Sequence, residues 1–335
     1  MALHPTVAAV RREVRRSLAD LDPGAVVLVA CSGGADSLAL VAATVAERAD
    51  SAWRVVGVTV DHGLQEGSTA QAARVVDQMA ALGVDETVTA TVRVEAGGLG
   101  VEAAARQARY AVLEELAQRF EADAVLLGHT RDDQAETVLL GLTRGSGGRA
   151  LAGMRRGFGP FRRPLLEVSR TDTETACAVQ GIEAWQDPHN DDPRFTRSRV
   201  RHTVLPMLED ELGPGVTEAL ARTADQLRVD MDHLDDLADL ALADLALAAL
   251  TDPAPIAELA VLPTAVRRRV LRLLALRAGA PAADLFHTHV LAVDALVVDW
   301  RGQRWIDLPG HLRAVRRDGM LHVERSGPAA ADADQ

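Results

Sequence analysis

The residues most able to do chemistry begin with a short run, Ser32-Gly33-Gly34-Ala35-Asp36-Ser37, set directly after an apolar stretch and before a helical one. Two adjacent glycines let backbone N–H groups approach an anion closely, and the helix start beyond them adds unpaired amides and a positive dipole end. Ser32 and Ser37 supply hydroxyls. Asp36 is the unusual member, because a carboxylate beside phosphates repels them unless a cation intervenes, so it is read as a Mg²⁺ ligand. An ordinary glycine turn capped by serine is the competing reading. A second group lies at His129-Thr130-Arg131-Asp132-Asp133-Gln134-Ala135-Glu136. Asp133 and Glu136, three apart at a helix start, share one face. That spacing also fits a capping box with Thr130 as N-cap. A capping box uses a single acid, whereas three acids converge here beside His129, so a cationic amine or a metal ion is the chemical alternative. Asp61 and His62 end another apolar run, where they either touch a nucleoside or form a solvated turn. His287-Thr288-His289 has no further ligand nearby in sequence and is read as structural.

The elements that must position these groups follow from periodicity. Runs 25–31, 55–61, 87–94 and 124–129 are apolar and rich in β-branched residues, and helical patterns at about 38–49, 69–82, 101–120 and 131–143 alternate with them. Such alternation predicts parallel strands with crossover helices, a doubly wound α/β sheet in which ligands sit beyond the carboxyl ends of the strands. The two clusters fall at those ends. Before the first strand, Val7 to Val10 followed by Arg11, Arg12, Arg15 and Arg16 reads as an amphipathic helix lying on this domain rather than a secretion signal. The Gly/Arg-rich stretch 145–160 is expected to be a mobile loop. A helix near 196 and a long one over about 215–250 come next, the latter with Leu234, Leu237, Ala241, Leu245 and Ala248 on its packed face and Pro253 and Pro255 behind it. Residues 256–325 read as a smaller α+β domain, with helices near 264–278 and 284–299 and short strands within 305–324. The resulting domain expectation is a catalytic unit at 1–208, a helical linker at 209–252, a substrate-binding unit at 253–325 and a disordered tail at 326–335.

Composition narrows the chemistry. All 36 basic residues are arginine and none is lysine. Walker-type nucleotide loops, protein kinases and pyridoxal enzymes, each of which needs a lysine, are thereby excluded. Two cysteines, Cys31 and Cys177, build neither a disulfide framework nor a zinc site, which points to a reducing cytoplasm, and no run is long enough for a membrane span. The net charge of −12 hides a segregation. Arginines 144, 149, 155, 156, 162 and 163 occur without an intervening acid, as do 194, 197, 199 and 201, while 230–244 carries six aspartates. An acidic chain can therefore still present a basic face to phosphates.

Ser-Gly-Gly-x-Asp-Ser resembles the PP-loop of the ATP pyrophosphatases, which adenylate an oxygen and release pyrophosphate. Further motifs narrow the resemblance: Val60-Asp61-His62-Gly63-Leu64, Glu102-x-x-x-Arg106-x-x-Arg109-Tyr110, Leu127-Gly128-His129-Thr130-x-Asp132-Asp133-Gln134-Ala135-Glu136-Thr137, Arg163-Pro164-Leu165-Leu166, Trp185-x-Asp187-Pro188, Asn190, Arg197-x-Arg199-x-x-Arg201, and Leu262-Pro263 with Arg267 to Arg269. As an ordered set covering about 20–320 they are similar to the tRNA(Ile)-lysidine synthetases, in their short form. His189 and Gln65 depart from that pattern, where serine and arginine are expected. The resemblance implies ATP and Mg²⁺ as cofactors and free L-lysine and the CAU-anticodon tRNA(Ile) as substrates; a homodimer is one assembly open to the chain, whose oligomeric state the sequence does not give. It implies Asp36, Arg109, His129, Asp133, Glu136 and Arg201 as the catalytic set, with His129 a candidate base. ATP is expected on residues 32–37 with Asp61 and His62. tRNA phosphates are expected on Arg144, Arg149, Arg155, Arg156, Arg163, Arg197, Arg267, Arg268 and Arg269. A tRNA thiolase shares the loop but transfers sulfur through cysteine pairs or a cluster. A small-molecule amide-forming relative would not need the two acid-free arginine runs. A binding protein retaining the loop would release no pyrophosphate.

Overall fold

The structure is a computed structural model describing residues 3–61, 63, 67–92, 101–143, 147–187, 191–245 and 253–326. Contacts divide the chain into two compact units, Met1–Arg144 with Leu151–Asp225, and Gly145–Ala150 with Gln226–Gln335. In the first, helix α1 (Pro5–Ser17) precedes β1 (Val26–Ala30), α2 (Ala35–Ser51), β2 (Arg54–Asp61), α3 (Ser68–Leu82) and β3 (Glu86–Thr91). Then come α4 (Val101–Arg119), β4 (Ala124–Leu126), α5 (Arg131–Thr143), β5 (Gly157–Phe158) and β6 (Phe161–Arg162), while the short α6 (Gly148–Leu151), between α5 and β5 in the chain, falls largely in the second unit. Helices α7 (Arg170–Val179), α8 (Thr196–Arg199), α9 (Leu205–Leu212) and α10 (Val216–Asp244) follow, and the unit boundary falls inside α10.

The six-stranded sheet has the order β3-β2-β1-β4-β6-β5, parallel throughout except for β5, which pairs antiparallel with β6. This is the doubly wound sheet the alternation predicts. Strand β1, Val-Val-Leu-Val-Ala, is apolar without interruption because both its faces are covered. Val27 and Val29 face a core built from α1, α2, α3 and α7, while Leu28 faces the core beneath α4 with Leu113 and Leu116. The direction of winding reverses at β1, whose neighbours are β2 and β4, and a crevice opens at such a point.

The N-terminal arginines are a clamp. Val7, Val10 and Val14 are buried, and from the opposite helix edge Arg11 Nε and Arg15 Nε each donate to Glu47 of α2 at 2.6 Å. Glu47 is 2% exposed. Burial acts to raise its pKa, but the hydrogen bonds from Arg15 and Arg11 outweigh that and hold the carboxyl below its usual range. The helix that begins at the phosphate loop is thereby tied down at its far end.

Two expectations are corrected here. The stretch read as a mobile loop contains α6 and the β5–β6 hairpin, and Gln134 of α5 fixes it by accepting from Met154 N at 2.7 Å and donating to Met154 O at 3.2 Å. Over 234–245 the buried residues are Ala238 and Leu242, flanked by Leu234, Ala241 and Leu245, whereas Leu237 is exposed. The steps of four from Leu234 to Ala238 and Leu242 follow the helix more closely than the step of three to Leu237. Ala248 lies outside the described residues.

The second unit continues with β7 (Ala254–Pro255), α11 (Ile256–Val261), α12 (Thr264–Arg277), α13 (His287–Val298), β8 (Ile306–Leu308), β9 (Leu312–Arg317) and β10 (Met320–Arg325). Its strands form an antiparallel sheet in the order β7-β10-β9-β8. Leu312, Ala314 and Leu321 point from that sheet into a core shared with α12 and α13.

Glu47→Gln is expected to destabilise the first unit by about 2 kcal/mol at neutral pH, the scale of a hydrogen bond to a charged group. Because the folded pKa of Glu47 is depressed, its contribution is present above the unfolded carboxylate pKa and is lost as pH falls through the folded value. Urea unfolding at several pH values checks this: the gap between wild type and variant closes as pH falls through the carboxylate range.

Candidate active site

The phosphate loop leaves β1 and turns into α2 with Gly33 at φ +86°, a region open to glycine. A side chain there would also strike Val75, since an added Cβ lies 2.6 Å from Val75 Cγ2. The start of α2 has Gly34 as N-cap and no side-chain cap, so its first amides are free for an anion. Ser37 closes the loop internally: its hydroxyl donates to Gly34 O at 2.9 Å and accepts from Ser32 N at 3.2 Å. Ser32 itself is exposed. Trp185 N donates to Gly33 O at 2.8 Å, and Gln78 of α3 holds Glu183 O at 2.6 Å, so residues 183–185 lie against the loop. From β4, Gly128 approaches the start of α2 so closely that an added Cβ would stand 3.2 Å from the backbone of Asp36 and Ser37. That contact brings the two sequence clusters together.

Asp36, Asp133 and Glu136 form one charge cluster with Arg170, Arg197 and Arg201. Arg201 Nε donates to Glu136 Oε1 at 2.7 Å and Arg197 Nε to Glu136 Oε2 at 2.7 Å. Arg170 Nη2 reaches Asp133 Oδ1 at 3.2 Å and Glu136 at 3.5 Å, while its Nε stands 3.7 Å from Asp36. Thr173 Oγ1 donates to Asp36 Oδ1. Burial raises Asp36 to about 6, with the Thr173 hydrogen bond opposing and the Asp133 charge reinforcing. At Asp133 burial is outweighed by Arg170 and Arg197, so that carboxyl is held below its usual range.

Asp133 divides its oxygens: Oδ2 accepts from Thr130 N at 2.8 Å, as the capping reading expects, while Oδ1 meets the arginines. Asp132 is structural, capping α7 by accepting from Arg170 N at 2.8 Å. With Glu136 and Asp133 already satisfied by guanidiniums, the expectation that they face an amine or a metal directly is corrected. Their role is to hold three arginines beside the loop. Arg197 belongs to this cluster and not to an outer RNA-binding face. Arg201 stands on a π-helical turn, Val200–Val204, that follows α8; such turns re-aim side chains and recur at functional sites.

Around His129 the charge is uncompensated. Arg163 follows β6, is buried, and donates from Nε to His129 Nδ1 at 3.3 Å and from Nη2 to Tyr110 Oη at 3.1 Å. Burial first, then Arg163, Arg109 and Arg106, lower the His129 pKa to about 3 against the pull of Asp133. The imidazole is therefore neutral. Its Nδ1 is occupied as an acceptor, which puts the proton on Nε2 and suits a hydrogen-bond donor better than the base expected from sequence. Arg163 thus orients His129, and its expected place among RNA-contacting residues is corrected. Half-buried Arg109 makes no hydrogen bond or ion pair among the described residues, and burial lowers its pKa.

The remaining expectations sort by contact. Asp61 organises its turn, accepting from Gly63 N at 2.9 Å and Thr69 Oγ1 at 3.0 Å; His62, Gln65, Arg144 and His189 lie outside the described residues. Arg156 pairs with Glu167 at 2.6 Å and Asp225 at 3.1 Å. Arg149 pairs with Asp235 at 2.7 Å, and Arg155 lends its carbonyl to Arg163. In the second unit Arg267 is buried against Asp294 at 2.6 Å, Arg268 meets Asp294 at 2.8 Å, and Arg269 meets Asp235 at 2.9 Å. All three brace helices, and buried Arg267 is thereby removed from the expected RNA-contacting set, while the Arg268 side chain remains 38% exposed. Sequence reading missed Arg170 and Thr173. The signal was Ser169-x-x-Asp172, a helix start that places the cationic Arg170 in the first turn, where the dipole disfavours it.

No group of three or more histidine, cysteine or acidic side chains among the described residues is arranged to hold a metal ion. Asp36, whose side chain keeps 24% exposure beside the phosphate cradle, does fit Mg²⁺, which binds through one or two carboxylates together with substrate phosphates.

A parallel sheet with an amide cradle at its switch point and surplus arginines across the crevice defines an ATP-using PP-loop enzyme, and the sequence matches the PP-loop domain family over residues 7–208. Residues 255–322 match the TilS substrate binding domain. The tRNA(Ile)-lysidine synthase of Thermobifida fusca is 54% identical over 95% of this chain and 98% of its own length, and that of Streptomyces coelicolor is 49% identical over 97% and 100%. The chain belongs to the tRNA(Ile)-lysidine synthase family, ligases that form a carbon–nitrogen bond. Among solved structures, the U34-tRNA thiolase NcsA from Methanococcus maripaludis with its [4Fe-4S] cluster superimposes with a TM-score of 0.56 at 18% identity, covering 67% of this chain and 80% of that one. That likeness is one of fold. The thiolase alternative is set aside in favour of the ligase, and both cysteines here are buried with their thiols pushed up in pKa by burial. No helix among the described residues is long and apolar enough to cross a membrane.

Arg170→Met is expected to lower pyrophosphate release by about 100-fold, the scale of losing one preorganised charge contact, with thermal unfolding as the control for folding. For His129, ¹⁵N shifts of the imidazole in the nucleotide-free protein should show a neutral ring throughout pH 5–8, since a histidine whose folded pKa is depressed takes its proton only as pH falls toward that lower value.

Proposed function

We propose that this enzyme joins free L-lysine to C2 of the wobble cytidine in the CAU anticodon of tRNA(Ile), consuming ATP and releasing AMP and pyrophosphate. The observation that carries the reading is the pairing pattern. Arg170, Arg197 and Arg201 are neutralised by three carboxylates, while Arg109 has no acidic partner among the described residues and the start of α2 has no side-chain cap. The crevice thus keeps positive potential for a polyphosphate without any lysine of its own.

In the first step the cytosine O2 attacks the α-phosphorus of ATP and the bond to the bridging oxygen of pyrophosphate breaks. The amides at the start of α2 stabilise the departing β- and γ-phosphates, and Arg109 and Arg201 face the charge that develops on the α-phosphate. Asp36 would hold a Mg²⁺, which would supply further charge neutralisation at the phosphates. In the second step the neutral ε-amine of lysine attacks C2, the C2–O bond breaks and AMP leaves. The amine surrenders its proton more readily among guanidiniums than in water, because like charges disfavour its ammonium form. His129 donates through Nε2–H to the leaving phosphate, a role its neutral ring and occupied Nδ1 support. Residues 1–208 carry this chemistry, 209–252 link, and 253–325 hold the tRNA.

The test is direct. The protein with unmodified CAU tRNA(Ile), ATP, Mg²⁺ and lysine should convert the wobble nucleoside to one heavier by lysine less water, with AMP and pyrophosphate in equal amounts. An unchanged cytidine, or ADP with orthophosphate, overturns the reading.

A further inference from the structure

Arg267, Arg268 and Arg269 are engaged in ion pairs, so the less encumbered positive charge of the second unit lies elsewhere. The sequence 300–317, Trp-Arg-Gly-Gln-Arg-Trp-Ile-Asp-Leu-Pro-Gly-His-Leu-Arg-Ala-Val-Arg-Arg, holds arginines 301, 304, 313, 316 and 317 against the lone acid Asp307. It begins at the turn from α13 to β8, which carries two of the chain's four tryptophans. Both are open: Trp300 is 50% exposed and Trp305 44%. Half-exposed tryptophans forgo much of the burial that makes this side chain valuable to a core, although a well-packed core of the same unit is close in sequence on both sides.

Each ring is held in place by an arginine of β9. Arg316 Cζ stands 5.0 Å from the Trp300 ring centre and Arg313 Cζ 5.7 Å from that of Trp305. Arg316 also caps α13 by donating to Leu296 O at 2.8 Å, and Trp300 Nε1 donates to Gln303 O at 3.2 Å. The rings are therefore ordered before any partner arrives, and the entropy cost of fixing them has already been met in folding. Between them Arg304 is exposed and makes no hydrogen bond or ion pair among the described residues. Arg301 pairs with Asp299 at 3.0 Å, but both side chains are largely in solvent, where such a pair is weak and exchangeable. Next to Trp305, the register of β9 with β10 sets Arg313 opposite Glu324, Val315 opposite His322 and Arg317 opposite Met320, on the face turned away from Leu312, Ala314 and Leu321. Arg317 and His322 meet on that face at 3.4 Å.

We propose that the turn Trp300–Trp305, with Arg313 and Arg317 of β9, is the surface by which the second unit grips the tRNA: the tryptophan rings stack on unpaired bases or riboses, and Arg301, Arg304 and Arg317 meet backbone phosphates. Aromatic faces interleaved with guanidiniums at this density match the alternation of rings and charges along an RNA strand. Glu324 pairs with Arg313 at 2.8 Å, but arginines 301, 304, 313, 316 and 317 still outnumber Asp299, Asp307, Asp318 and Glu324, and a positive excess on a chain of charge −12 favours a polyanion over a neutral protein patch. This assignment rests on the function proposed above and adds to it the contact surface of its macromolecular substrate.

The test measures binding of the CAU tRNA transcript to the full chain over a range of salt, for wild type, Trp305→Ala and Arg304→Gln, with lysidine formation followed in parallel. Trp305→Ala should weaken binding about tenfold, the effect of losing one stacked base. Arg304→Gln, which breaks no internal contact, should weaken binding several-fold and flatten the salt dependence by about one phosphate contact. For both variants the KM for ATP and the rate at saturating tRNA should match wild type, and thermal unfolding should confirm folding. Wild-type affinity and salt dependence in Arg304→Gln overturn the surface whatever happens to Trp305→Ala. Dissociation of a wild-type dimer by either substitution, seen by sedimentation with tRNA affinity unchanged, assigns the turn to a second copy of the chain and likewise overturns it. If wild type binds tRNA but forms no lysidine, the reaction assignment fails while the binding comparison still decides the surface.

Discussion

Three carboxylates packed beside an anion site are tolerable only if an equal positive charge is packed with them. Asp36, Asp133 and Glu136 come from α2 and α5, and Arg170, Arg197 and Arg201 come from α7, α8 and the π-helical turn behind it. Desolvating charges costs several kcal/mol per ion, so the pairs must form together or the region does not close. The cluster therefore does two things at once. It stitches helices that leave different strands into one wall, and it cancels the acids so that Arg109 and Arg163 set the sign of the crevice. The clamp of α1 on Glu47 and the approach of Gly128 to Asp36 hold the loop at either side of that wall.

Much of this was legible in the chain. A β-branched run, two glycines, a hydroxyl and a helix in succession specify a phosphate loop because each residue type answers a local backbone demand. The alternation of periods specified the sheet, since buried parallel strands and amphipathic helices leave different marks. The pairing of arginines was not legible. An arginine in a sequence states a charge but not the acid that meets it, and the partners here are distant: 65 positions separate Arg201 from Glu136, and 27 separate Arg267 from Asp294. Runs without acids looked like outer faces, yet Arg163 and Arg197 turn inward to reach groups on other elements. Arg170 escaped notice for the opposite reason, standing singly in an unremarkable helix start. Leu237 was misplaced because steps of three and four are equally allowed on paper, and the packing of one helix on its neighbours chooses between them.

The histidine illustrates how geometry changes a chemical role. Residue type and position made His129 a natural base, but a buried imidazole ringed by guanidiniums stays neutral, and a neighbour already occupies its lone pair. What remains available is its second nitrogen and the proton it carries. The acid Asp133 behaves in the same divided way, with one oxygen spent on the helix terminus and the other on the site.

The exclusive use of guanidinium as the cation of this site has a consequence for the acid–base behaviour of turnover. Guanidinium groups keep their proton far into alkali, whereas an ammonium group in their place would be shedding it. The fixed positive scaffolding therefore stays constant as the medium is made more basic, and the incoming amine, which must lose a proton before it can form a bond, is free to titrate against an unchanging background. An alkaline limb in the ligation rate would then report the nucleophile itself and not the pocket that receives it.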